Sequence, residues 1–114
     1  MNKKQTFVKV KLQVEGIHNW PQAKGSVEYL KYLHRHLFYI TILKSVTHDD
    51  RDIEIITFKN EVGKYIADKY FSVGDNCHNF GPMSCEMIAK ELHEVFECFS
   101  VEVLEDNENG AVVM

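Results

Sequence analysis

The chain has little that would hold it together other than a folded core. It has three cysteines, Cys77, Cys85 and Cys98. That odd number, at those spacings, fits neither a disulfide scaffold nor a CxxC metal clamp, so a reducing, cytoplasmic setting is expected. Its two prolines, Pro21 and Pro82, fall in segments that read as loops. No run approaches the ~20 apolar residues that a membrane-spanning helix needs. Met1 to Gln5 leads into alternation and not into an apolar block, so neither a signal peptide nor a membrane span is expected. Positive charge is not in excess: 13 Lys and Arg against 17 Asp and Glu leave a net charge of −4. That balance argues against a nucleic-acid partner, whose backbone calls for a basic surface. Repeats, low-complexity tracts and linkers are absent from the sequence.

What is there is one domain, residues 1–114, with ample aliphatic and aromatic residues for a core. A domain this small leaves much of its surface uncovered, so a homo-oligomer is expected. Residues 6 to 15 alternate, with Val8, Val10, Leu12 and Val14 against Lys9, Lys11, Gln13 and Glu15, the pattern of a half-buried strand. Residues 16 to 33 read as a long connection, with Ser26 as cap of a short helical turn through Tyr29 and Tyr32. A loop this long in so small a domain is usually functional. The β-branched and aromatic residues of 35 to 47 predict a second strand. His48 to Asp52 is a polar turn, and Ile53 to Thr57 reads as a third strand.

Val62, Tyr65, Ile66 and Phe71 recur at helical spacing after Phe58. Val73 to Pro82 reads as loop. Ser84 is the expected N-cap of a second helix, with Glu86 in its first turn, where the helix dipole favours an acid. Ser100 to Glu105 alternates again, and Ala111 to Val113 is expected to pair with an edge. The predicted class is α+β: an antiparallel sheet of about four strands with two helices on one face.

His34 and His36 are two residues apart at the start of a strand, so both imidazoles share one face. His18 ends the preceding strand. If those strands pair antiparallel, His18 returns beside the other two. Three histidines are the ligand set of a zinc site with a fourth position left for water or substrate. A single strand-end histidine is more often a hydrogen-bonded surface residue, and His48-Asp49-Asp50 is more simply a solvated turn. Topology, not the HxH spacing alone, makes His18, His34 and His36 the candidate metal ligands.

At these residues the chain resembles the 6-pyruvoyltetrahydropterin synthase and 6-carboxytetrahydropterin synthase family, the tunnelling-fold enzymes. Val14-Glu15-Gly16-Ile17-His18 is similar to the end of the family's first strand. His34-Arg35-His36 stands where the family has HGH. Ser84-Cys85-Glu86-Met87-Ile88-Ala89 is similar to the segment opening its second helix, and Val101-Glu102-Val103-Leu104-Glu105 to its last strand. The resemblance implies zinc on the three histidines and sheets joined into a barrel by oligomerisation. It also implies a purine-like or pterin-like ring held by Glu105, with Glu86 and Ser84 beside it, at a site between subunits. A carboxylate suits the N–H edge of such a ring, because it accepts two parallel charge-assisted hydrogen bonds.

The chain departs from the family's catalytic set. Leu30 stands at the position of the family's cysteine, and Asp68 lacks the histidine that should follow it. A general acid or base must be titratable and within reach, so no catalytic residue is assigned. Cys77, His78 and Cys85 are the groups left to approach from elsewhere, and Trp20, Tyr29 or Tyr32 are candidates to stack on the ring. Three readings follow: a divergent zinc enzyme of the lyase type that the resemblance implies, a non-catalytic protein that stores or sequesters a purine nucleotide or nucleotide signal, and a structural homo-oligomer whose histidines only hydrogen-bond.

Overall fold

The computed structural model describes residues 4–114. Strand β1 (Phe7–His18) and strand β2 (His34–Ser45) pair antiparallel over their full length, from Phe7 opposite Ser45 to His18 opposite His34. Alternation works as read: Val10, Leu12 and Val14 are buried while Lys9, Lys11, Gln13 and Glu15 are exposed. On β2 the inward row is Phe38, Ile40 and Ile42, all fully buried. The connection between the strands carries a 3-10 helix, Gly25–Lys31. Lys24, not Ser26, occupies its cap position, and no side chain caps it there.

Two further sequence readings are corrected. Ile53 to Thr57 is not a strand, because helix α1 (Ile55–Tyr70) begins inside it. The Glu54 carboxylate accepts from the backbone N–H groups of Ile56 and Thr57, satisfying two donors that a helix start leaves free. The β-branched run looked like a strand because β propensity reflects packing on a sheet. Here Ile55 and Ile56 lie exposed in the first turn, while Phe58, Val62 and Ile66 are buried at helical spacing. Phe71, read with that helix, is its exposed C-cap.

The second correction concerns Val73 to Pro82. Residues 73–76 form a turn, closed by the Asn76 N–H on the Val73 carbonyl, but Phe71–Ser72 (β3) and Cys77–Gly81 (β4) form a small hairpin around it. Strand β4 also pairs with β1, and does so parallel, through Gly16, Ile17 and His18. Gly16 permits this: a Cβ there would lie 2.7 Å from the Phe80 ring.

Helix α2 (Cys85–Phe96) starts as expected, with Ser84 Oγ accepting the Met87 N–H. Strand β5 (Ser100–Glu105) pairs with β2, and β6 (Asn109–Val113) pairs with β5, both antiparallel. Ala111 to Val113 therefore does lie against an edge. The sheet order is β3-β4-β1-β2-β5-β6. The domain is α+β, and four antiparallel neighbours, β1-β2-β5-β6, lie within a mixed six-stranded sheet.

The two α-helices cover one face. Phe58, Val62 and Ile66 of α1 and Ile88, Ala89 and Leu92 of α2 share a core with the inward rows of β1, β2 and β5. A polar clasp joins the helices: Tyr65, Lys69 and Tyr70 of α1 all donate to the Glu91 carboxylate of α2. Burial pushes Glu91 up, but those hydrogen bonds outweigh it and hold the carboxyl below its usual range. Among the described residues, no helix is long and apolar enough to cross a membrane.

Candidate metal centre

The inward row of β2 does not stop at Phe38; it continues through His36 to His34 at the strand's start. Register sets His18 directly opposite His34 and the side-chain-free Gly16 opposite His36. The structure thus brings the three histidines together at one end of the helix-covered face. Their ring centroids lie 4.6, 5.0 and 5.3 Å apart. One ring nitrogen from each falls within 4.8 Å of the other two, a group able to hold a metal ion. Phe38 forms the floor, with its centroid 5.2 Å from that of His18 and 5.8 Å from that of His36.

Each Nδ1 is committed to an acceptor. His18 Nδ1 donates to the Met83 carbonyl at 2.8 Å, His34 Nδ1 to the Tyr32 carbonyl at 2.9 Å, and His36 Nδ1 to Asp106 Oδ2 at 2.8 Å. A carbonyl can only accept, so His18 and His34 carry a proton on Nδ1, and in the neutral ring Nε2 is the lone-pair nitrogen. Among the described residues, Nε2 of His18 and of His36 are buried and have no hydrogen-bond partner. Orphaned buried acceptors are destabilising. A cation would satisfy both, and imidazoles oriented through their far nitrogen are how proteins present histidine to a metal. Three imidazoles form a donor set that suits zinc, with copper, iron and nickel also accommodated by such ligands.

Glu105 adds negative charge at this spot. It stands opposite Phe38 in the β5–β2 register, with Oε2 3.1 Å from His18 Nε2 and Oε1 3.6 Å from His36 Nε2. A carboxylate facing imidazole lone pairs is repulsive unless a proton or a cation lies between them. Burial lowers the His18 pKa below the ordinary value and outweighs the hydrogen bond to Met83 and the Glu105 charge, which raise it. His18 is thereby kept in the neutral form a metal needs.

The other site candidates divide. Ser84 is committed to capping α2, and Glu86 is exposed in that helix's first turn. The residue between them, Cys85, reaches the centre: its Sγ lies 3.8 Å from Glu105 Oε2. Burial first, then the Glu105 charge, pushes this thiol up to about 12, so it is held protonated. Cys77 instead meets the guanidinium of Arg35 at 3.8 Å, and Arg35 alternates with the histidines on β2, facing the opposite side of the sheet. His78 Nδ1 donates to the Glu15 carbonyl at 2.9 Å.

Leu30 is half-buried in the 3-10 helix, and Asp68 pairs with Lys64 on the surface of α1. Trp20, Tyr29 and Tyr32 are exposed. His48 and its neighbouring acids form an exposed turn, as expected.

Sequence reasoning missed what aims the imidazoles. The Met83 and Tyr32 carbonyls carry no side-chain signal at all. Asp106 does carry one, as an acid directly after the strand that ends in Glu105. Compared with models of protein families the chain matches none, and no curated protein shows significant similarity to it.

Proposed function

We propose that His18, His34 and His36 hold a zinc ion beside a binding site for a purine-like or pterin-like small molecule, as in a divergent relative of 6-carboxytetrahydropterin synthase. One observation carries the reading. Three imidazoles converge with every Nδ1 tied to an acceptor, and the buried Nε2 atoms of His18 and His36, without a hydrogen-bond partner among the described residues, face the Glu105 carboxylate. Zinc bound there would act as a Lewis acid toward a ligand oxygen or activate a water. In this reading Glu105 accepts from the N–H edge of the ring, and the N-terminus of α2, with Ser84 and Glu86, borders the site. The antiparallel run β1-β2-β5-β6, with both α-helices inserted between β2 and β5, is compatible with a tunnelling fold. A homo-oligomer joined through sheet edges would protect β6, an edge strand with Val112 exposed. A cytoplasmic setting accords with three free cysteines.

A second reading, capture of a nucleotide-like molecule without turnover, is favoured by specific residues. Leu30 offers no thiol, and the thiol that does approach, Cys85, is a poor nucleophile or base at about 12. The two readings separate when the untagged protein is purified, its metal per chain measured, and the small molecules released on denaturation identified. Near-stoichiometric zinc is required by both. Turnover of a carboxytetrahydropterin-type substrate supports the enzyme, and an unaltered bound nucleobase or nucleotide supports the binder. Absence of both metal and ligand defeats the proposal.

Two results are expected at this site. Metal should leave on acidification, because only neutral imidazole ligates and each proton bound competes with the ion. Burial holds His18 low, so half-release should fall below the ordinary histidine value of about 6.5. Zinc retained after dialysis, followed from about pH 7.5 down to about pH 4.5, checks this; retention that does not change across that range would count against histidine ligation. Separately, Glu105→Gln should weaken binding of neopterin or guanosine by roughly 10–100-fold, the worth of a hydrogen bond to a charged group. Zinc content should be retained, since all three imidazoles remain. Titration calorimetry reads the affinity, and equal binding by the two proteins removes Glu105 from the role.

A further inference from the structure

We infer that Asp106 is a positioning residue for the metal centre, fixing His36 and tying the β5–β6 turn to the ion. The inference rests on the zinc reading above. Asp106 grips the β2 strand at three points. Its Oδ2 accepts from His36 Nδ1 at 2.8 Å, its Oδ1 accepts the Leu37 N–H at 3.0 Å, and its own N–H donates to the Leu37 carbonyl at 2.8 Å. The carboxylate is thus held by the strand that carries the imidazole it orients.

The backbone of this turn does not itself call for aspartate. Asp106 and Asn107 have φ of +55° and +59°, and Glu108 N–H closes the turn on the Glu105 carbonyl at 3.0 Å. Two consecutive left-handed residues are the pattern of a tight hairpin turn, which glycine and asparagine also satisfy. The local conformation therefore leaves the carboxylate to be explained by what it touches. As a half-exposed ion pair with a histidine it would add little by itself. Set behind a metal ligand, it acts through the ring. A carboxylate on the far nitrogen fixes the tautomer and strengthens the near nitrogen as a donor, and losing such a partner typically weakens metal binding ~10–100-fold.

His36 is also the histidine that most needs this support. His18 and His34 are aimed by backbone carbonyls of Met83 and Tyr32. His36 is aimed by a side chain from another strand's turn, 70 residues along the chain. Metal affinity then depends on the β5–β6 hairpin at the sheet's edge, and by reciprocity the ion steadies that hairpin.

The test uses the full chain and zinc alone. Asp106→Gly keeps a residue suited to the left-handed backbone and removes the carboxylate. Asn107→Gly, at the next position, alters the same turn without touching His36. Competition against a chromogenic chelator should show Asp106→Gly binding zinc ~10–100-fold more weakly, with Asn107→Gly matching the unaltered chain. Asp106→Asn, which keeps the turn and one acceptor but loses the charge, should fall between. In the zinc-loaded protein the His36 Nδ1–H proton should resonate far downfield, and shift upfield in Asp106→Gly.

Wild-type affinity in Asp106→Gly, or an equal loss in Asn107→Gly, overturns the inference. An unaltered chain that takes up no zinc overturns the metal reading itself, so the two failures are distinguishable.

Discussion

Replacing His36 with alanine is expected to abolish stable zinc binding while leaving the fold in place. His36 contributes one of three imidazoles, and three protein ligands are the minimum for a site with an open position. A structural zinc site in a small peptide is worth about 10–16 kcal/mol of apparent binding free energy. Losing one of three donors should remove roughly 3–5 kcal/mol, or two to four orders of magnitude in affinity. The fold should survive because His36 lies beyond the sealed part of the inward row, where Phe38, Ile40 and Ile42 carry the packing. Metal analysis after gel filtration reads the occupancy directly. Thermal unfolding adds a second readout: zinc should raise the midpoint of the unaltered chain, since it binds only the folded state, and should leave His36→Ala unmoved. Full zinc occupancy in the variant would break the triad as the ligand set.

Phe38→Ala should give the largest loss of stability. Phe38 is fully buried between the core and the site, and its ring meets Phe80 at 5.2 Å as well as His18 and His36. Truncating a buried phenylalanine removes its transfer free energy and leaves a cavity, together about 3–5 kcal/mol. For a domain of this size that lowers the unfolding midpoint by roughly 10–25 °C. Phe38→Leu, which keeps most of the volume, should lose far less. Because the floor supports two imidazoles, zinc affinity in Phe38→Ala should fall as well, whereas a cavity at Ile42, farther along the strand, should spare it. Denaturant unfolding with and without zinc separates the two effects, and a loss below about 1 kcal/mol would mean that the site collapses around the gap.

Much of this was legible in the sequence wherever a local rule acts on a local pattern. Period-two alternation marked β1, β-branched and aromatic residues marked β2, and the period of two put His34 and His36 on one face. Ser84 marked the start of α2 because a hydroxyl there satisfies a free backbone N–H whatever surrounds it. The pairing of the C-terminal residues with a sheet edge was visible for the same kind of reason.

Tertiary structure decided the rest, because the deciding atoms are far apart in sequence or carry no side-chain identity. Ile53 to Thr57 has strand propensity, yet Glu54 caps a helix there. Cys77 to Gly81 is too short and too closely flanked by turn residues to stand out. It is a strand because Gly16 leaves room for Phe80. Only the fold shows that Cys85, and not Cys77, comes to Glu105, or that carbonyls of Met83 and Tyr32 and the Asp106 carboxylate aim the imidazoles. The sequence alone determined that three histidines can meet. The register of β1 against β2, and the hydrogen bonds behind each ring, decided that they do meet, with Nε2 of His18 and of His36 buried.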